Sequence, residues 1–181
     1  MPLSITVPAR ELFDSRTGEF IETKETVLHL EHSLISISKW ESKWHKPYLS
    51  KENKTKEEAI DYIRCMTLNG GVDPNVYLGL TEENINEITK YMADPMTGTT
   101  IKKENKRPSS EIITSELVYY WMTELNIPFD PCQKWHFSRL LTLIEVCSIK
   151  KTPSKKMSRS DAMRQQHSLN AARRAKHHTR G

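Results

Sequence analysis

The sequence predicts an α+β protein that is mostly α. It places a small N-terminal antiparallel β-sheet first, then a helical bundle, then a basic C-terminal helix or tail. Three observations carry this prediction. Residues 3–7 (LSITV) and 26–30 (TVLHL) alternate apolar and polar side chains, the period of a half-buried strand. Between Ser33 and Cys147 the apolar residues recur at helical spacing behind cap residues and ahead of breakers. Charge is unevenly divided: residues 150–181 hold ten Lys or Arg and the single acid Asp161, a net +9 against −5 for the rest. The expected division is therefore an α+β body over 1–149, β-rich at 2–31 and helical at 33–149, and a basic linker with a C-terminal helix or tail over 150–181.

Composition sets limits. With 36% hydrophobic residues in 181, the core must be modest. Four Trp and six Tyr argue against a disordered chain, which is poor in aromatics. No run nears the roughly 18 apolar residues of a membrane span, so no membrane partner is expected. The start, MPLSITVPAR, lacks a basic stretch followed by an apolar one, and three Cys cannot all pair within one chain. A reducing cytosolic setting is the expectation, rather than a secreted disulfide scaffold.

Each element has a local reason. Pro8 ends the first strand, where its missing donor costs little. Asp14 to Gly18 reads as a turn, with strands following around Phe20–Thr23 and at Thr26–Leu30. Ser33 caps a helix over 34–45 with Ile37, Trp40 and Trp44 on one face, and Pro47 is its expected stop. The segment Leu34–Ile37 also alternates, so a longer strand competes there. Thr55 and Glu58 form a capping-box pattern for a helix with Ile60, Ile63 and Met66 on its face, stopped by Asn69-Gly70-Gly71. Asp73-Pro74 opens a short helical turn. Thr81 caps a helix bearing Ile85, Ile88 and Met92, with Glu82 and Glu83 at its positive end. Residues 94–109 form a polar loop. Ser110 is the expected cap of a helix over 111–125 with Ile112, Ile113, Leu117, Tyr120, Trp121 and Leu125 as its apolar face. One further helix is expected from Cys132 to Cys147, packed antiparallel on the previous one. Residues 150–157 read as a basic linker, and 158–176 as a helix capped by Ser158 or Ser160, too polar to be stable on its own propensity.

Patterns that carry chemistry are sparse. Cys132 and His136 stand four apart on one expected helix, a spacing that places two metal ligands together but lacks a third or fourth. Burial of the pair in a core is the competing reading. His29 and His32 read as surface or edge histidines. Gly70-Gly71 lacks the surroundings of a phosphate loop, and no nucleophile elbow occurs. Cys65 and Cys147 have no base nearby in sequence. Glu57, Glu58, Glu82 and Glu83 read as solvated first-turn acids. No catalytic residue, metal site or cofactor is therefore assigned, and an enzyme is not expected. Tyr119, Tyr120, Trp121, Trp135 and Phe137 sit at core spacing. Trp40 and Trp44 read as core or as anchors for a partner, since Trp is favoured at binding hot spots. The basic tail, including Lys155, Lys156, Arg159, Arg173 and Arg174, suits a phosphate backbone or an acidic protein segment, or is a solvated helix.

Five stretches carry a resemblance: LEHSLISISKWESKWHKPYLS (30–50), TKEEAIDYIRCMT (55–67), EIITSELVYYWM (111–122), IPFDPCQKWHFSRLLTLIEVC (127–147) and KKMSRSDAMRQQHSLNAARRAK (155–176). In order and spacing they resemble a family encoded by tailed phages and prophages, grouped with siphovirus tail assembly chaperones. The resemblance implies a non-enzymatic protein of the host cytoplasm, absent from the finished virion. Its partner would be the long tape measure protein, held soluble until tail tube subunits polymerise around it. Contact with the tail tube protein and self-association are compatible with it. Partner-binding candidates are Trp40, Trp44, Lys155, Lys156, Arg159, Arg173 and Arg174. The competing readings are a nucleic-acid-binding accessory acting through the tail, and a structural head–tail connector.

Overall fold

The computed structural model describes residues 1–14, 18–101, 111–151 and 159–177. It is α+β and mostly α. The chain divides into two compact units, Met1–Ile149 and Lys150–Gly181.

The first unit begins with β1 (Leu3–Val7), β2 (Arg10–Asp14), β3 (Glu19–Thr23) and β4 (Thr26–Leu30). They form two antiparallel pairs, β1 with β4 and β2 with β3. Leu3 faces Leu30 and Val7 faces Thr26, while Arg10 faces Thr23 and Asp14 faces Glu19. Both pairs follow one register, so the strands make one long hairpin interrupted midway. The interruption falls at Pro8, which has no N–H to give the ladder. Beyond it the inward-facing set changes. Ile5, Val7, Leu28 and Leu30 are buried from the first pair, whereas Thr23 is the buried residue of the second. The Thr23 hydroxyl accepts from Arg10 N and donates to Arg10 O, both at 3.1 Å, and secures the junction.

The outer edge of β4 is closed by the segment after the second helix. Glu31 N donates to Met66 O at 2.9 Å and Leu68 N to His29 O at 2.8 Å. The Asn69 side chain imitates a strand residue, accepting from His29 N at 2.7 Å and donating to Val27 O at 3.1 Å. A covered edge cannot recruit a stray strand.

Helix α1 (Leu34–Trp44) is capped by Ser33, whose hydroxyl accepts from Ser36 N. Leu34, Ile37 and Trp40 point into the core. Its stop is His45, in the left-handed conformation with φ 52°, two residues before the expected breaker Pro47. Helix α2 (Lys56–Met66) shows both bonds of the Thr55–Glu58 capping box and buries Tyr62, Ile63 and Met66. It ends at Thr67, ahead of the expected glycine stop, because Thr67 and Leu68 are engaged with the sheet edge. A 3₁₀ turn, Pro74–Gly79, buries Val76 and Tyr77. Helix α3 (Glu82–Ala93) has a Thr81–Asn84 capping box, and Asn84 Nδ2 also donates to Thr6 O of β1 at 3.2 Å.

Two helices differ from the sequence reading. Helix α4 runs Ser115–Glu124 with Thr114 as its cap. The expected cap Ser110 lies outside the described residues. Its core face is Ser115, Val118 and Met122, while Ile112 and Tyr120 are exposed. Apolar residues lie all around this segment, so periodicity does not select a face; docking on α1, where Ser115 N donates to Glu41 Oε2 at 2.8 Å, does. The expected helix from Cys132 to Cys147 is split into α5 (Phe129–Cys132) and α6 (Phe137–Lys151). Residues 133–137 give backbone groups to 32–35 instead of to a helix: Phe137 N donates to His32 O at 2.7 Å and Ile35 N to Gln133 O at 3.4 Å. The polar loop at 94–109 is described only as far as residue 101, and the basic linker only at Lys150 and Lys151.

The second unit contains α7 (Arg159–His177), a helix of 19 residues. Ser160 and all residues from Met163 to Lys176 are exposed.

Candidate interaction surfaces

Trp40 is a core residue. It is 1% exposed, and its indole N–H donates to Glu58 O at 2.9 Å. It therefore offers no anchor to a partner. Trp44, half-buried, stacks on it with ring centroids 6.1 Å apart and donates to Asp61 Oδ2 at 2.9 Å. Tyr48 meets Trp40 edge-on and stacks on Tyr62 at 3.8 Å. The Lys54 ammonium sits 4.6 Å from the Tyr48 ring centre, a cation–π contact that closes this end of the cluster.

Three carboxylates hold the aromatic wall in place. Glu41 accepts from Tyr48 N and Ser115 N, both at 2.8 Å, joining α1 to the start of α4. Asp61 pairs with Lys43 and Trp44. Glu58 accepts from Lys46 Nζ at 2.6 Å and Thr55 N at 2.8 Å. Glu58 was expected as a solvated first-turn acid, yet it is 3% exposed. Its second duty to Lys46 is what draws it inward. Lys46 holds the Glu58 carboxyl below the usual range, and Glu58 in turn raises the Lys46 ammonium. Burial and then Asp61 push the Cys65 thiol up, away from the thiolate that a nucleophile requires.

A second buried polar cluster joins four distant parts of the chain. His32 was expected at the surface; it is 6% exposed, because it stands where the chain turns from β4 into α1 beneath α2 and α6. Its Nδ1 lies 2.5 Å from the Tyr62 hydroxyl. The His136 ring centre is 5.3 Å from that of His32, and Phe137 lies edge-on at 5.7 Å. His136 Nε2 lies 3.1 Å from Tyr91 O, an acceptor, so this nitrogen carries the proton. His136 Nδ1 is buried with no hydrogen-bond partner among the described residues. Tyr91 donates to Glu31 Oε1 at 2.7 Å. Burial, then the neighbouring His136, brings His32 down to about 4, and burial also lowers His136. His29, by contrast, is exposed on β4, with Nδ1 2.8 Å from Ser4 Oγ. Cys132 and His136 are both buried but do not share a helix. No group of three or more His, Cys, Asp or Glu among the described residues is placed to hold a metal ion.

The surface feature that sequence reading missed is on the β2–β3 hairpin. Phe13 and Phe20 face each other across the ladder, with ring centres 5.2 Å apart. They are 61% and 65% exposed. Glu11 and Glu22, the next facing pair on that side, are also exposed. Leu12 and Ile21 occupy the opposite side and are half-buried. The signal was present: each strand carries two adjacent apolar residues, Leu12-Phe13 and Phe20-Ile21. Neighbours on a strand point to opposite faces, so one of each had to be left outside.

Of the remaining candidates, Arg173 and Arg174 are exposed on α7. Arg159 opens that helix, and its side chain lies outside what is described, as do Lys155 and Lys156 entirely. No helix among the described residues is long and apolar enough to cross a membrane. No protein-family model matches the chain, and no curated protein and no solved structure is similar to it.

Proposed function

We propose that this chain is a non-enzymatic phage tail assembly chaperone, acting in the host cytoplasm, that binds the tape measure protein and keeps it soluble during tail tube assembly. The resemblance that suggests this role spans nearly the whole sequence. The observation that supports it physically is the exposed Phe13–Phe20 pair. Two large aromatic rings are held outside the core at a fixed spacing, buried only against each other. Beside them stand Glu11 and Glu22. An apolar strip flanked by acids suits an amphipathic helix with basic residues along its apolar stripe, a helix-on-surface contact. A tape measure protein is long and helical, and exposes such stripes until the tube covers them. The anchor is thus the hairpin rather than Trp40, with half-buried Trp44 reduced to a supporting part of the wall behind α1.

Co-expression tests this reading. The soluble fraction of the tape measure protein should rise with the intact chain, and fall back with a Phe13→Ser/Phe20→Ser double variant. Equal solubility with and without the chain overturns it. Recovery of the chain in purified virions by mass spectrometry also overturns it, in favour of a head–tail connector.

A further inference from the structure

We propose that α7 is a duplex-DNA-binding helix that seats in the major groove, a property beyond the chaperone reading. Its cations carry the argument. Arg164, Arg173, Arg174 and Lys176 are all exposed, on a helix flanked in sequence by further Lys and Arg. At about 100° per residue, Arg164 and Arg174 lie on one side of the axis with His167, and Arg173 and Lys176 on roughly the opposite side. A flat anionic surface is met by one cationic stripe. A groove between two phosphate backbones is met by two, which is the arrangement here. The major groove of B-DNA is roughly 12 Å wide and admits an α-helix. Gln166 and Asn170, four apart, lie in a sector between the cationic sides, where a seated helix faces base edges. The helix is 19 residues, or about 28 Å at 1.5 Å per residue, long enough to lie across the groove and reach both phosphate backbones.

The same residues disfavour other polyanions. No Phe, Tyr or Trp occurs in residues 150–181, so the stacking platform that holds single strands is missing. The two sizeable apolar residues, Met163 and Leu169, stand about 120° apart, so they make no apolar face to enter a lipid interface. The A-form major groove of RNA is too narrow for side chains to read.

Fluorescence anisotropy of the full chain with a labelled random-sequence 20-base-pair DNA tests the proposal. Four phosphate contacts predict affinity about 100-fold weaker at 200 mM than at 50 mM salt. The pairs Arg164→Gln/Arg174→Gln and Arg173→Gln/Lys176→Gln should each lower the salt slope by about 1.8, half of what α7 contributes, and the four together should leave only the weak residual binding of the flanking Lys and Arg. Gln is a good helix former, so α7 should persist, as circular dichroism would report. Arg164→Lys/Arg173→Lys/Arg174→Lys keeps the charge and should keep the slope. Four outcomes overturn the proposal: no binding at 50 mM salt, unchanged binding by the four-site variant, dependence on one side only, or tighter binding to single-stranded DNA or phosphatidylserine vesicles than to duplex.

Discussion

Acid should destabilise the body chiefly through His32. In the unfolded chain its imidazole takes a proton near the ordinary 6.5; in the fold that happens only at about 4. Between those values the unfolded state binds the extra proton, so stability is fully present above 6.5 and falls as pH drops through the window. The full difference corresponds to about 3 kcal/mol at 1.36 kcal/mol per pH unit. From pH 7 to 4.5 about 2 kcal/mol of it is lost, a large share of the ~5–15 kcal/mol typical of a folded domain. His136, lowered by the same burial, acts in the same direction. Around the pair stand Tyr62 of α2, Tyr91 of α3, Glu31 and Asp94; the two acids favour a charged His136 but do not outweigh its burial. Urea unfolding at pH 7 and pH 4.5 measures the loss. His32→Gln removes the titration while keeping a polar group for the Tyr62 hydroxyl, so the variant should be less stable at pH 7 yet lose about 2 kcal/mol less on acidification. Parallel decline of the two proteins, or a His32 ring that titrates by NMR near 6.5 in the folded state, refutes this reasoning.

Two substitutions on α4 distinguish the face that docks on α1 from the broad apolar face expected from the sequence. Met122→Ala should cost about 2–5 kcal/mol in urea unfolding, whereas Tyr120→Ala should stay within about 0.5 kcal/mol; the reverse order would place the helix differently. Asn69→Ala removes both of its bonds to β4 and should cost about 1–3 kcal/mol, at ~0.5–1.5 kcal/mol per hydrogen bond. The His29 amide, which loses its acceptor, should then exchange with solvent faster, while amides within α3 should not.

What was legible in the sequence was local. Ser33, Thr55 and Thr81 cap helices through side-chain bonds to amides three residues on, and such bonds need no knowledge of the rest of the chain. The strands were legible because Ile5, Val7, Leu28 and Leu30 alternate with polar neighbours. What failed depended on partners far away. His32 looks like a surface residue until Tyr62, His136 and Phe137 arrive from 30 and more than 100 positions further on. Glu58 announces its cap but not Lys46, so its burial is invisible. The break at residues 133–136 has the composition of a helix and is decided by backbone bonds to 32–35. The same reasoning separates the two proposed surfaces. On the hairpin, folding leaves two phenylalanines outside that a well-buried ribbon would have covered, and their outward position follows from strand geometry once Thr23 and its register are fixed. On α7, a helix without an apolar face gains little from any core, so its retained +9 neighbourhood calls for a partner that supplies charge rather than burial. An apolar contact flanked by acids at one surface and a phosphate backbone at the other differ in their response to salt. Salt screens the cations of α7 and the flanking Glu11 and Glu22 alike but does not weaken the burial of Phe13 and Phe20, so the hairpin contact should fall far less steeply in one titration read at both surfaces.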